Sequence, residues 1–126
     1  MPARRLVTTV GPGRGADRAW TSTAAHLALE TDDGRRVTLL DDRGWASTAP
    51  PEVEWASRAD VEETARTVVG PDEPPDGVTP EQEAAAHRGH LAVVAGAAGV
   101  AVTADELAAL PHDVVLHPDV EGWVVR

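Results

Sequence analysis

A chain of 126 residues that contains no Cys, Ile, Phe or Tyr has no disulfide to hold it and only Trp20, Trp45, Trp55 and Trp123 to supply aromatic bulk. Each Trp is therefore expected to anchor a core that other proteins share among several aromatic residue types. The absence of Cys also excludes thiolate metal sites and cysteine nucleophiles. A chain of this length has the size of one domain and buries roughly two thirds of its unfolded surface on folding. Residues 1–126 thus read as a single compact domain that needs no cofactor for stability, with residues 1–18 either part of it or a basic arm. Lys and Asn are missing too, while Ala, Val, Arg, Asp, Gly and Pro are abundant. That skew is the mark of GC-rich coding. An Arg in such a chain need not signal the planar, bidentate recognition for which Arg is otherwise preferred over Lys.

The formal charge is -10, from 11 Arg against 21 Asp and Glu. Such an acidic body lacks the basic footprint that neutralising phosphates requires, which argues against nucleic acid as a partner. No stretch approaches the roughly 18 apolar residues of a membrane-spanning helix, and the Arg-bearing start leads into an apolar run too short for a signal peptide. No membrane association is expected, and the localisation that fits is cytoplasmic. The charge is also polarised. Arg4, Arg5, Arg14 and Arg18 against Asp17 give residues 1–18 a net +3, whereas residues 50–83 hold ten acids and two Arg, a net of -8.

Residues 4–10 form a β-branched run stopped by Gly11, Pro12 and Gly13, the pattern of a strand ending in a loop. Residues 26–31 and 35–40 read as a hairpin around Asp32-Asp33-Gly34. A three-residue loop with Gly34 in the left-handed position pairs Leu29 with Val37 and Leu27 with Leu39 on one face, and Glu30 with Arg36 on the other. His26 then faces outward. Residues 41–54, with Gly44, Trp45, Pro50 and Pro51 and with Trp55 immediately after, suggest an irregular crossing over the core. Ser57 caps a helix with Asp60 in its first turn, an apolar stripe of Val61, Ala65 and Val68, an i,i+4 pair of Glu62 with Arg66, and a stop at Gly70-Pro71. A stiff acidic loop follows over residues 70–78. Thr79, Pro80 and Gln82 open a second helix with a capping box, which runs through residues 84–98. Thr103 and Glu106 repeat the box, with Val102 and Leu107 as a hydrophobic staple, and Pro111 ends that short helix. Residues 114–116 and 122–125 read as closing strands. The expected fold class is α+β: an N-terminal antiparallel hairpin sheet, three central helices and short C-terminal strands.

Few places can carry chemistry. Gly11-Pro12-Gly13-Arg14-Gly15-Ala16 follows a strand and has the form of a dinucleotide fingerprint. A dinucleotide fold would make residues 16–30 a helix, which Thr21-Ser22-Thr23 oppose, and would need strand-helix alternation after Asp41 that is missing. His87 and His90 stand at i and i+3 on the second helix, and His112, Asp113 and His117 surround the last strand but one. These are ligand types that suit zinc or iron, although neither HExxH nor a facial-triad spacing is present. His87 also lies on the Ala84, Leu91, Val94 stripe, where the ordinary role is a half-buried, hydrogen-bonded side chain. No G-x-S-x-G surrounds Ser22, Ser47 or Ser57, and paired carboxylates such as Asp41-Asp42 and Glu62-Glu63 occur at too many spacings to single one out. Trp45 and Trp55 could line a small-molecule pocket before the first helix.

His87, the His112-Asp113 pair and Asp119 are sparsely similar to HD-type phosphohydrolases, a family that is all-helical and generally larger, so the strands expected here argue against it. Leu40-Asp41-Asp42-Arg43-Gly44-Trp45, Val68-Val69-Gly70-Pro71-Asp72-Glu73-Pro74 and Leu110-Pro111-His112-Asp113-Val114 resemble small uncharacterised actinobacterial proteins over most of residues 39–115. That resemblance implies no activity and no catalytic residue. The expectation that size, acidity and missing motifs favour is a non-enzymatic cytoplasmic interaction protein, of immunity or antitoxin type, which offers Glu62, Glu63, Asp72 and Glu73 to a basic protein partner. The alternative is a small metal-dependent enzyme or ligand-binding domain using the His/Asp cluster. A homodimer is left open.

Overall fold

In the computed structural model, which describes residues 3–12, 21–47, 56–121 and 124–125, the β-branched start pairs with two later segments at once. The elements in chain order are β1 (Ala3–Pro12), β2 (Thr21–Thr31), β3 (Arg36–Ser47), β4 (Ala56–Ser57), α1 (Arg58–Val68), α2 (Pro80–Ala97), α3 (Ala104–Ala109), β5 (His112–Leu116), α4 (Pro118–Glu121) and β6 (Val124–Val125). The main sheet has the order β3-β2-β1-β5, with β1, β2 and β3 antiparallel and β5 parallel to β1. The fold is α+β, with three helices between β3 and β5. Residues 21–30, which belong to the helix a dinucleotide-binding unit would need over residues 16–30, are strand, and β1 includes Gly11 and Pro12. Residues 3–12 of the basic start thus belong to the sheet, whereas Arg14, Asp17 and Arg18 lie outside the described residues.

The hairpin loop is built as its residues dictate. Gly34 takes φ +84°, its N–H donates to the Thr31 carbonyl at 2.9 Å, and Asp33 accepts from the Thr31 hydroxyl and from the Arg35 N–H at 3.3 Å. Those hydrogen bonds, the Thr31 one foremost, hold the Asp33 carboxyl below its usual range. Leu29 faces Val37 and Glu30 faces Arg36 as expected, but Leu27 faces Leu40, not Leu39. A bulge between Leu27 and Ala28 inserts one extra residue into β3 and breaks its alternation. Leu39 and Leu40 are consequently both buried, at 5% and 9% exposure, where a regular strand would send one of them to solvent.

The irregular crossing expected from residue 41 is likewise corrected. β3 continues to Ser47, and β2 reaches back to Thr21 to meet it. Gly44 makes no turn. It sits opposite Ala24, where a Cβ would stand 2.3 Å from the Thr23 carbonyl oxygen, so glycine lets the two backbones approach. Pro50, Pro51 and Trp55, on which the expectation also rested, lie outside the described residues, as do Trp20 and Trp123.

The caps follow the local signals. The Ser57 hydroxyl accepts from the Asp60 N–H at 3.1 Å, and Thr79 with Gln82 and Thr103 with Glu106 both close complete capping boxes. Helix α1 buries Val61 and Ala65 and hands Val69 to the core as its C-cap residue. Arg66 donates not to Glu62 but to the His112 carbonyl at 3.3 Å. One core cluster joins Leu27, Leu29, Val37, Leu39, Leu40, Val69, Leu91, Ala95, Val100 and Leu107; a second joins Val10, Val61, Ala65, Leu116 and Val120. Half-buried Trp45 packs against both.

The opposite face of the sheet carries a charge ladder with one residue per strand. Arg36 (β3) and Arg5 (β1) flank Glu30 (β2), and Arg5 also donates to Asp113 (β5) at 2.7 Å. The Arg5 guanidinium, through its hydrogen bond, holds the Glu30 carboxyl below the usual range, and Glu30 and Asp113 raise the Arg5 value in turn. Glu30 is only 7% exposed, a burial open to a carboxylate because both neighbouring strands meet it with a cation.

Candidate functional site

The parallel pairing of β1 with β5 sets Leu6 beside His112, and the alternation of β5 then turns Asp113 to the other side of the sheet. This is why the His112-Asp113 pair does not act together. Asp113 is exposed and ion-paired with Arg5, while half-buried His112 faces the helices.

There, the helix-facing side of the sheet, the C-terminal end of α1, the middle of α2 and α3 leave a cleft of about 130 Å³. Leu6, Leu27, Val69, Leu91 and Leu107 supply apolar walls, and His87, His112, Arg66 and Arg88 supply the polar groups. A volume of this order holds a body of about six non-hydrogen atoms, the size of a small ring or short chain.

Each polar group has a distinct state. His87 Nε2 lies 2.9 Å from the Val69 carbonyl oxygen, which can only accept, so Nε2 is the donor in that hydrogen bond. His112 Nε2 shares a hydrogen bond of 2.6 Å with the Thr8 hydroxyl, whose residue is fully buried. Burial pushes the His112 imidazole below its ordinary value, the Arg66 cation pushes the same way, and Asp113 opposes them. Burial and Arg66 thus both favour the neutral ring. Arg66, in the last turn of α1, lies where the helix dipole favours a cation and is anchored on the His112 carbonyl. Arg88 makes no hydrogen bond or ion pair among the described residues, and its Nε is buried without a partner.

Of the five expected metal ligands, the structure brings His87 and His112 to one cleft. His90 and His117 are exposed, Asp113 is on the far face of the sheet, and no group of three or more His, Asp or Glu side chains converges among the described residues. Trp45 belongs to the core, and its proposed companion Trp55 lies outside the described residues. The acidic residues occupy α1 and the segment after it. Glu63 and Glu73 are exposed, Glu62 is half-buried, and Asp72 is held by Arg43 at 2.9 Å.

Arg66 and Arg88 are the site residues that sequence reasoning missed. GC-rich coding weakens any single Arg as a signal, and helical spacing alone points Arg66 at Glu62. A signal for Arg88 does exist: it falls on the stripe Ala84, Arg88, Leu91, Ala95, where helical spacing calls for an apolar residue. Among the described residues, no helix is long and apolar enough to cross a membrane. Comparison of the chain with protein-family models, curated proteins and solved structures returns no match.

Proposed function

We propose that this chain is a ligand-binding domain whose cleft between sheet and helices takes a small amphipathic molecule. The observation that carries the reading is the composition of the cleft: five aliphatic walls with four polar side chains directed to one place, the usual make-up of a small-molecule site. The two histidines contribute hydrogen-bonding capacity. Methyl NMR with a panel of small alcohols, ketones, amines and carboxylates of about five to eight non-hydrogen atoms tests it. At least one compound is expected to move the methyl signals of Leu6, Leu27, Val69, Leu91 and Leu107 while leaving exposed Val93 and Val115 in place. A panel that moves none of the five at millimolar concentration rejects the reading.

The exposure of Glu63 and Glu73 supports a second reading, an interaction protein that presents its acidic face to a basic partner. In this reading, a poly-arginine peptide binds the chain at low salt, and neutralising Glu62, Glu63 and Asp72 together weakens that binding. Asp72 contributes least, because Arg43 already holds it. Equal binding by the neutralised variant would reject the acidic face as the contact.

A further inference from the structure

We infer that the ligand of the cleft is a small monocarboxylate whose carboxylate seats on Arg88; this rests on the ligand-binding reading above. The sign of the charge in the cleft is the first argument. In a chain with 21 acids and 11 Arg, the described residues that line the cleft include two Arg and two His and no Asp or Glu. The cleft is a cationic spot in an anionic protein, so it attracts the class of small molecule that the rest of the surface repels.

Arg88 itself is the second argument. It occupies the core-facing stripe of α2, so its guanidinium is partly withdrawn from water, and its Nε has neither water access nor an acceptor among the described residues. A buried charged donor left unpaired is costly, and native proteins retain one where something else completes it. Arg66 differs, because the His112 carbonyl already takes one of its donors. A carboxylate matches the deficit in Arg88. Its two oxygens accept in parallel from Nε and one Nη, the side-on form of the bidentate pair. Because Nε is sealed in this structure, seating the carboxylate requires the Arg88 side chain to change rotamer on binding, a change common at interfaces.

The walls define the rest of the ligand. Leu6, Leu27, Val69, Leu91 and Leu107 accept a hydrocarbon body, and the small volume limits it to a short chain or single ring. A phosphate ester carries a second charge and a third oxygen beyond what the Nε–Nη edge of Arg88 pairs with.

The test compares pentanoate with 1-pentanol, which share a chain and differ in the carboxylate. Binding is followed by methyl NMR and by the Arg88 Nε–H resonance. Pentanoate is expected to bind about tenfold or more tighter than pentanol, the scale of a hydrogen bond to a charged group, and to shift the Nε–H signal. Arg88→Met keeps the aliphatic stem and removes the cation. It is expected to abolish the preference while retaining pentanol binding, which also shows that the variant is folded. Equal binding of the two probes, or a preference that survives in Arg88→Met, overturns the inference and leaves the ligand-binding reading intact. Binding of neither probe, if the wider panel is also silent, removes both. Pentyl phosphate binding as tightly as pentanoate with the same dependence on Arg88 overturns the carboxylate assignment in favour of a general anion site.

Discussion

Leu29→Ala is expected to cost about 3 kcal/mol, a large part of the stability of a domain this size. Leu29 is fully buried between β1 and β3, opposite Leu6 and Val37, in the larger core cluster. The loss has two parts: the transfer energy of the missing carbons, and the cavity that neighbours cannot refill. The second part is large here because the surrounding wall is strand backbone carrying Leu and Val, fixed by register on both sides. For a chain of this length, the melting temperature falls by roughly 10 °C. Thermal and urea unfolding followed by circular dichroism measure it, with Val93→Ala as the reference. Val93 is 71% exposed on α2, and its truncation changes stability by no more than about 0.5 kcal/mol. A loss at Leu29 no greater than at Val93 would refute the packing described.

Gly44→Ala has the second largest expected effect, and its cause is steric. The added Cβ falls 2.3 Å from the Thr23 carbonyl oxygen and 3.4 Å from the Ala24 Cα. Both atoms are backbone, so no rotamer relieves the contact, and the strands must separate at that point. The expected cost is about 2–3 kcal/mol, the upper part of the range for overpacking. Gly34→Ala costs less, about 1–2 kcal/mol, because the strain there is confined to one left-handed residue with open space around it. Gly89→Ala, in α2 with no atom within 4 Å of the new methyl group, is expected to stabilise by up to about 1 kcal/mol. Hydrogen exchange adds a spatial signature. In Gly44→Ala the amides of residues 21–25 and 43–47 lose protection, while those of residues 27–30 and 36–38 keep it. Uniform behaviour across the hairpin would contradict a local clash.

The expectations that the structure bears out share a short range. Ser57, Thr79 and Thr103 cap their helices through partners three residues away, and Gly34 closes a loop of three residues. The expectations that the structure changed depend on partners further off. Gly44 reads as a loop signal until Thr21–Ala25 is known to lie across from it, and Leu39 reads as the partner of Leu27 until the bulge in β3 is seen. Glycine breaks a strand or permits a close approach by the same property, the missing Cβ, and only the neighbour tells which.

The site divides the same way. The sequence by itself determined the α+β order, the caps, the hairpin loop, the polarised charge, and the placement of His87 on an apolar stripe. Each is set by residues within a helical turn or a tight loop of one another, so the chain's own periodicity expresses it. Only the tertiary structure decided that His112 turns toward the helices and Asp113 away from them, because the parallel register of β5 on β1 sets that orientation across more than a hundred residues. It alone brought Arg66, His87, Arg88 and His112 to one cleft from two helices and a strand. The physical reason is that a side chain's direction follows from its own backbone, whereas its company follows from which distant backbone the sheet and helices pack against.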